Sequence, residues 1–398
     1  MIMRAIRSSR PVIGSALALA LLWPATSKAD HDAVPTRSPG SVGRLHKVSM
    51  LDKSAITVSG LSSGGFFAHQ FHVAFSTLVN GAGIVAGGPY GCVENIRNPY
   101  SPFWPVRLDR VSAATVACTH YYGSRYFGLR PTPPRPEDSN AFIREAANQG
   151  VIDDPSNLAD DRVWLFHGHE DDIVPLAVME TLRDVYESLG IREPKLQVDW
   201  NAPERPANGE QPQRRSADHG LPVARFTGQS AFPVRQCQQH APPFVIECGF
   251  EAAEALLRHL HPGSFGEPSD DPHRDGTLIA FDQTEFFAAR DDLISMDRLG
   301  FAYLPKRCSA QECRLHVAFH GCQQDVESVH DDFIRDGGYN RWAATNNIVV
   351  LYPQVTRSAA NPNRCWDFWG YTDPATYYGR SGPQMQAVKA MVDRLLGP

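Results

Sequence analysis

The five residues Gly60-Leu61-Ser62-Ser63-Gly64 constrain this chain more than any other feature. They fit the pattern G-x-S-x-G. The β-prone run Ala55–Ser59 precedes them, and a helix-compatible segment follows from Phe66. A strand that turns sharply into a helix at a serine is a nucleophile elbow, which lifts a hydroxyl above the edge of an α/β sheet. The flanking glycines are needed because side chains there would collide with the neighbouring strand and helix. Ser62 is the central serine. Ser63 would need glycine at 61, where Leu61 stands.

A serine hydroxyl needs a base to take its proton and an acid to orient that base. Val163–Phe166 reads as a buried strand, and His167-Gly168-His169-Glu170-Asp171-Asp172-Ile173-Val174-Pro175 follows it. A carboxylate on such a loop is in place to act as the acid. Asp171 lies three residues after Gly168 and three before Val174, the spacing such a loop usually shows. Glu170 and Asp172 are the alternatives. His167 and His169 flank the strand end with no third partner for a metal. The base is expected beyond the next strand, Leu196–Trp200, at His219 in Asp218-His219-Gly220-Leu221-Pro222. Its competitors are His240, His259 and His261. Acyl transfer also needs donors for an oxyanion. One is the Ser63 amide. A second is expected from His320-Gly321-Cys322, which follows the strand Leu315–Phe319. That loop ordinarily precedes the serine and here comes far downstream.

Ile348–Tyr352 is another strand. Glu251–His261 is helical, with Ala255, Leu256 and Leu260 on one face. Gln384–Leu396 is helical, with Met385, Val388, Val392 and Leu395 at helical spacing. Short strands alternating with helices predict a mostly parallel α/β sheet. Asn201–Arg215 has no apolar period and reads as an exposed loop. Arg4, Arg7 and Arg10, the apolar run Val12–Trp23 and Ser27-Lys28-Ala29 compose a secretory signal peptide over residues 1–29. Residues 30–46 read as an irregular lead-in, and 47–398 as a single catalytic domain. Export to the periplasm or medium is expected, with oligomeric state left open.

The charge balance, 38 Lys and Arg against 44 Asp and Glu, argues against a nucleic-acid partner. No apolar run reaches the roughly 20 residues of a membrane span. The 8 cysteines are an even count in an exported chain, which predicts disulfides, although such a set allows about 105 pairings. No C-x-x-C pair occurs, which argues against a zinc site, and acyl transfer through a serine needs no metal or organic cofactor.

The chain resembles the polyhydroxybutyrate depolymerases, in particular catalytic domains whose elbow lies near the N-terminus. The resemblance runs from about Ala55 to Leu396. Its residues are Gly60 to Gly65, Gly87-Gly88-Pro89-Tyr90, Asp218 to Pro222, Cys248-Gly249-Phe250, Leu315 to Gln324, Leu351-Tyr352-Pro353-Gln354 and Cys365-Trp366-Asp367-Phe368-Trp369-Gly370-Tyr371. It implies an α/β-hydrolase fold and a serine esterase with Ser62, Asp171 and His219 as nucleophile, acid and base. It also implies the Ser63 and Cys322 amides as oxyanion donors, and a Cys322–Cys365 disulfide. Proximity then makes Cys308–Cys313 and Cys237–Cys248 natural pairs, leaving Cys92–Cys118. Many extracellular relatives append a linker and a polymer-binding domain, whereas this chain stops after its last helix. Amorphous poly(3-hydroxybutyrate) or its oligomers is therefore the expected substrate. The rivals are a feruloyl or acetylxylan esterase on the same scaffold, and a non-catalytic polymer-binding protein. Tyr90, Trp366, Trp369 and Tyr371 are expected to line the acyl and leaving-group sites, because a methyl-bearing polyester needs apolar walls.

The inverted order predicts a circular permutant. Leu315–Phe319, Ile348–Tyr352 and Gln384–Leu396 stand in the order that ordinarily leads into the nucleophile strand. The end of the C-terminal helix should therefore lie near the start of Ala55–Ser59, as a right-handed crossover requires.

Overall fold

The run read as Ala55–Ser59 is the inner part of a longer strand, β1 (Leu51–Leu61), whose last six residues are all buried. A strand buried on both faces belongs in the middle of a sheet, and the computed structural model places it there. The structure describes residues 42–94, 109–120, 134–201, 215–226, 232–287 and 293–397, all within the compact unit Pro39–Pro398. The signal peptide, most of the lead-in and residues 202–214 of the polar loop lie outside the described residues.

The other strands are β2 (Gly81–Val85), β3 (Arg162–Phe166), β4 (Leu196–Asp199), β5 (Leu221–Val223), β6 (Arg235–Gln236), β7 (Val245–Glu247), β8 (Gly276–Asp282), β9 (Leu299–Pro305), β10 (Cys313–Phe319) and β11 (Ile348–Tyr352). Eight of them form one sheet in the order β4-β3-β2-β1-β10-β11-β9-β8, and β5, β7 and β6 form a small second sheet. In the large sheet only β9 runs against the rest. The mostly parallel α/β expectation therefore holds, with an antiparallel edge that the sequence reading does not include.

The helix after the elbow, α1 (Ser63–Ala74), starts three residues before Phe66 and buries every residue. Phe67 packs against Phe319 and Trp366, with ring centroids 5.0 and 4.7 Å away. The buried Gln70 donates to the carbonyls of Asp367 and Tyr377, and His72 Nε2 meets Asp161 at 3.0 Å. These partners satisfy polar groups that would otherwise cost about 1–3 kcal/mol each.

The permutation is visible at the chain's end. The C-terminal helix spans Pro383–Leu396. The Val48 amide donates to Leu395 O at 2.9 Å, and Lys53 Nζ reaches Gly397 O. Val48 is seven residues from Ala55, within the stretch a short extended segment spans. The helix thus delivers its end to the segment that enters β1. All four disulfides pair as expected: Cys92–Cys118, Cys237–Cys248, Cys308–Cys313 and Cys322–Cys365. Among the described residues no helix is long and apolar enough to cross a membrane.

Candidate active site

β1 ends against its neighbours at one sheet edge. Leu61 pairs with Val85, and Val85 with Phe166. The Ser62 amide donates to Val85 O, and the Ala86 amide to Phe166 O. Ser62, the start of the loop after β2 and the start of the loop after β3 therefore share the carboxyl edge of the sheet, where sites of α/β folds form. Ser62 holds φ 56° and ψ −123°, a conformation costly for a residue with a side chain and characteristic of strained functional positions. A Cβ on Gly60 would lie 2.2 Å from Gly64 C, and one on Gly64 would lie 2.4 Å from His320 O and Phe319 O. The motif glycines thus let the turn close and let it seat directly on the end of β10.

The loop after β3 carries Asp171, whose carboxylate is buried. Its Oδ1 accepts the amides of Ile173 and Val174, and its Oδ2 meets His219 Nδ1 at 2.8 Å. Burial would push this carboxyl up, but the His219 ring beside it, the hydrogen bonds and His167 hold it below its ordinary value. Among the alternatives, Glu170 is exposed, and Asp172 clusters instead with Asp218 and His240. His167 is structural: its Nε2–H donates to Val174 O across the same loop.

The other candidate histidines are paired away from Asp171. His240 is exposed and paired with Asp218, which raises its pKa. His259 binds Lys195 O. His261 is buried beside Thr57, and burial pushes its pKa down to about 3. His219 is held from two sides. Its amide donates to Asp218 Oδ1, and Glu170 N–H reaches Ala217 O. Asn201, which the sequence reading assigns only to a loop, ties this segment to the end of β4. Its side chain accepts the Ala217 amide and donates to Arg215 O. Asn201 holds positive φ just past the strand end, a conformation that asparagine tolerates, and no sequence signal marks its role.

The loop after β10 reaches the elbow from the other flank. Cys322 is bridged to Cys365, and the next amide, Trp366 N–H, donates to Ser63 Oγ at 3.3 Å. Neither the Ser63 nor the Cys322 amide donates to a described residue. The bridge closes a long loop, a constraint worth about 4 kcal/mol in the chain-entropy model, and it anchors the Cys322 segment beside the elbow. Mild reductant is therefore expected to lower ester hydrolysis before the protein unfolds, measured as turnover and near-ultraviolet dichroism over one titration. Loss of both signals together would deny the bridge this local role.

The aromatic expectations divide. Tyr90 and Trp366 are 1% and 0% exposed, so the structure corrects their placement at the substrate: both are core residues. Tyr90 packs on Phe142 and donates to Tyr378 O, and Trp366 packs on Phe67 and Phe319. Trp369 and Tyr371 are half-buried and line a cleft of about 640 Å³ with Val93, Val111 and Pro374. None of Ser62, Asp171 and His219 lines that cleft. Asp367, given no role of its own in the sequence reading, organises this loop by accepting the amides of Trp369, Gly370, Tyr371 and Thr372.

No family model matches the chain. It is 38% identical over 363 residues to the poly(3-hydroxybutyrate) depolymerase of Delftia acidovorans, an alignment covering 89% of this chain and 63% of that protein. The chain thus spans less than two thirds of that relative. It is 29% identical over 362 residues to the polyhydroxybutyrate depolymerase of Talaromyces funiculosus, covering 87% of this chain and 91% of that one. Two solved structures align over 89% of this chain and 98% of theirs at 26% identity. They are a serine-to-alanine PHB depolymerase complexed with an R3HB trimer, TM-score 0.71, and the PHB depolymerase from Penicillium funiculosum, TM-score 0.70. Strand order, elbow and the buried Asp–His pair define an α/β-hydrolase in permuted order. Within that class the relatives and solved structures the chain is similar to are polyhydroxybutyrate depolymerases.

Proposed function

We propose that this protein is an exported serine esterase that hydrolyses poly(3-hydroxybutyrate), as amorphous polymer or oligomers, through an acyl-enzyme on Ser62. The observation that carries this reading is the buried 2.8 Å contact of His219 Nδ1 with Asp171 Oδ2, on the sheet edge that also bears the elbow. A carboxylate only accepts, so Nδ1 carries the proton and Nε2 is the basic nitrogen. His219 takes the Ser62 proton as Oγ attacks an ester carbonyl. Asp171 fixes the tautomer and stabilises the imidazolium. The Ser63 and Cys322 amides receive the oxyanion. His219 then protonates the leaving hydroxyl, and water activated by His219 releases the hydroxyacid. Every step is carried by groups of this chain. Trp369 and Tyr371 are the aromatic residues left for substrate contact.

The substrate follows the relatives, one of which is complexed with an R3HB trimer. Export to the periplasm or medium follows from four disulfides and the basic, then apolar, N-terminal sequence. A panel of amorphous poly(3-hydroxybutyrate), 3-hydroxybutyrate oligoesters, feruloylated xylan and acetylated xylan, read by product mass, tests the assignment. Release of 3-hydroxybutyrate and its short oligomers is expected. Ferulate or acetate as the main product, with no hydroxybutyrate, would reassign the substrate.

A further inference from the structure

We infer that His320 is the positioning residue of the oxyanion loop, its ring N–H holding the Gly321 carbonyl so that the Cys322 amide faces the nucleophile. The inference rests on the proposed reading of Cys322 as an oxyanion donor. His320 is fully buried at the end of β10. Its Nδ1 lies 2.7 Å from Gly321 O, and its Nε2 lies 3.3 Å from the Val355 amide. A carbonyl can only accept, so Nδ1 bears the proton. An amide can only donate, so Nε2 is bare. The two partners thus select one neutral tautomer, and burial, the largest influence on the ring, lowers its pKa and keeps it neutral.

The consequence lies in the next peptide group. The Gly321–Cys322 bond is not among the cis bonds, so its C=O and N–H point in opposite directions within one plane. The carbonyl is turned inward to the buried ring. The Cys322 N–H is therefore turned outward at the sheet edge, where Ser62 stands and where it donates to no described residue. The preceding peptide is fixed separately, with Gly321 N–H donating to Gln324 Oε1 at 2.8 Å and Gln324 Nε2 donating to Pro243 O. Gln323 N–H binds Asn363 O, and the disulfide holds Cys322 itself. Gly321 O accepts two donors, the His320 ring N–H at 2.7 Å and the Gln324 amide at 3.2 Å; together they set the rotation of the peptide that carries the proposed donor, and the ring supplies the shorter contact. An oxyanion donor acts only when aimed at where negative charge develops, so the ring governs catalysis without touching substrate.

Asparagine and glutamine separate this role from simple packing. An asparagine side chain at this position cannot reach Val355 but can place an N–H near the Nδ1 position, whereas a glutamine amide falls near Nε2. His320→Asn should keep kcat within about threefold of wild type, while His320→Gln should lose about a hundred-fold in kcat with little change in KM. Equal losses in the two variants, or a loss confined to KM, would overturn the role. Should either variant fold poorly, nitrogen NMR of the wild-type ring decides: Nδ1 protonated and Nε2 bare is expected, and the opposite tautomer would refute the proposal. Phosphonate labelling of the same proteins keeps the two readings apart. No label on Ser62 of the wild type would remove the underlying site. A labelled Ser62 with equal rates in both variants would remove only the His320 role.

Discussion

Ser62→Ala is expected to lower kcat by about a million-fold, to near the residue left by binding and oxyanion stabilisation alone, with an unchanged Tm. The large effect follows from chemistry, since no other group at the elbow supplies an activated oxygen. The unchanged stability follows from structure. The Ser62 hydroxyl makes no hydrogen bond to a described residue, and the side chain is at the edge of burial at 8% exposed. Alanine meets the same backbone strain at φ 56°. Ser63 behaves differently, because its Oγ accepts the Trp366 amide. Ser63→Ala should cost some stability, of the order of 1 kcal/mol for a lost hydrogen bond, while keeping most of the turnover. If Ser62→Ala retains full turnover and Ser63→Ala is dead, the elbow serine has been misassigned.

Asp171→Asn should lose about ten-thousand-fold in kcat, and the hydrogen bonds around it explain why. Oδ1 accepts the Ile173 and Val174 amides. An asparagine there keeps its oxygen on those donors and turns its NH2 toward His219. Donor then faces donor at Nδ1, so the ring adopts the tautomer with its proton on Nε2 and cannot accept from Ser62. Asp172→Asn changes a carboxylate that faces Asp218 and His240 instead, and kcat should move by less than about tenfold. A large loss in Asp172→Asn with Asp171→Asn near wild type would exchange the two assignments. Kinetics on a soluble oligoester, with Tm measured on the same samples, reads all four variants.

Legibility in the sequence tracks how each element is buried. Ile348–Tyr352 is an unbroken apolar run and is read with its observed ends, because a strand inside the sheet is buried on both faces. The C-terminal helix keeps a polar face, and its period finds it to within one residue. The helix α1 is buried on every side, so it has no polar face and no period, and only the elbow pattern announces it. β8 and β9 stay unread because β8 is mostly half-exposed at the sheet edge, while β9 is interrupted by Gly300 and closed by Pro305. The helix Leu176–Ser188 carries Val178, Leu182 and Val185 at helical spacing and was open to reading. For the site, the turn at Ser62 and the Asp171–His219 contact were legible because each residue stands on a loop after a readable strand. Asn201 and the His320 contact were not, since both act through backbone groups that only the folded loops bring near. The aromatic residues were the weakest inference: Trp366 beside Cys365 carries the same sequence signal whether it faces substrate or, as here, the ring of Phe67.

The most direct test of the account is to catch the intermediate. The protein is mixed with a soluble 3-hydroxybutyrate oligoester, quenched in acid within the first turnovers, digested, and its peptides are weighed. The account predicts one 3-hydroxybutyryl group or short oligomer esterified to the peptide containing Ser62, located on Ser62 by fragmentation, and absent from Ser62→Ala. Product release with no acyl group on Ser62, or with the acyl group on another residue, would contradict it.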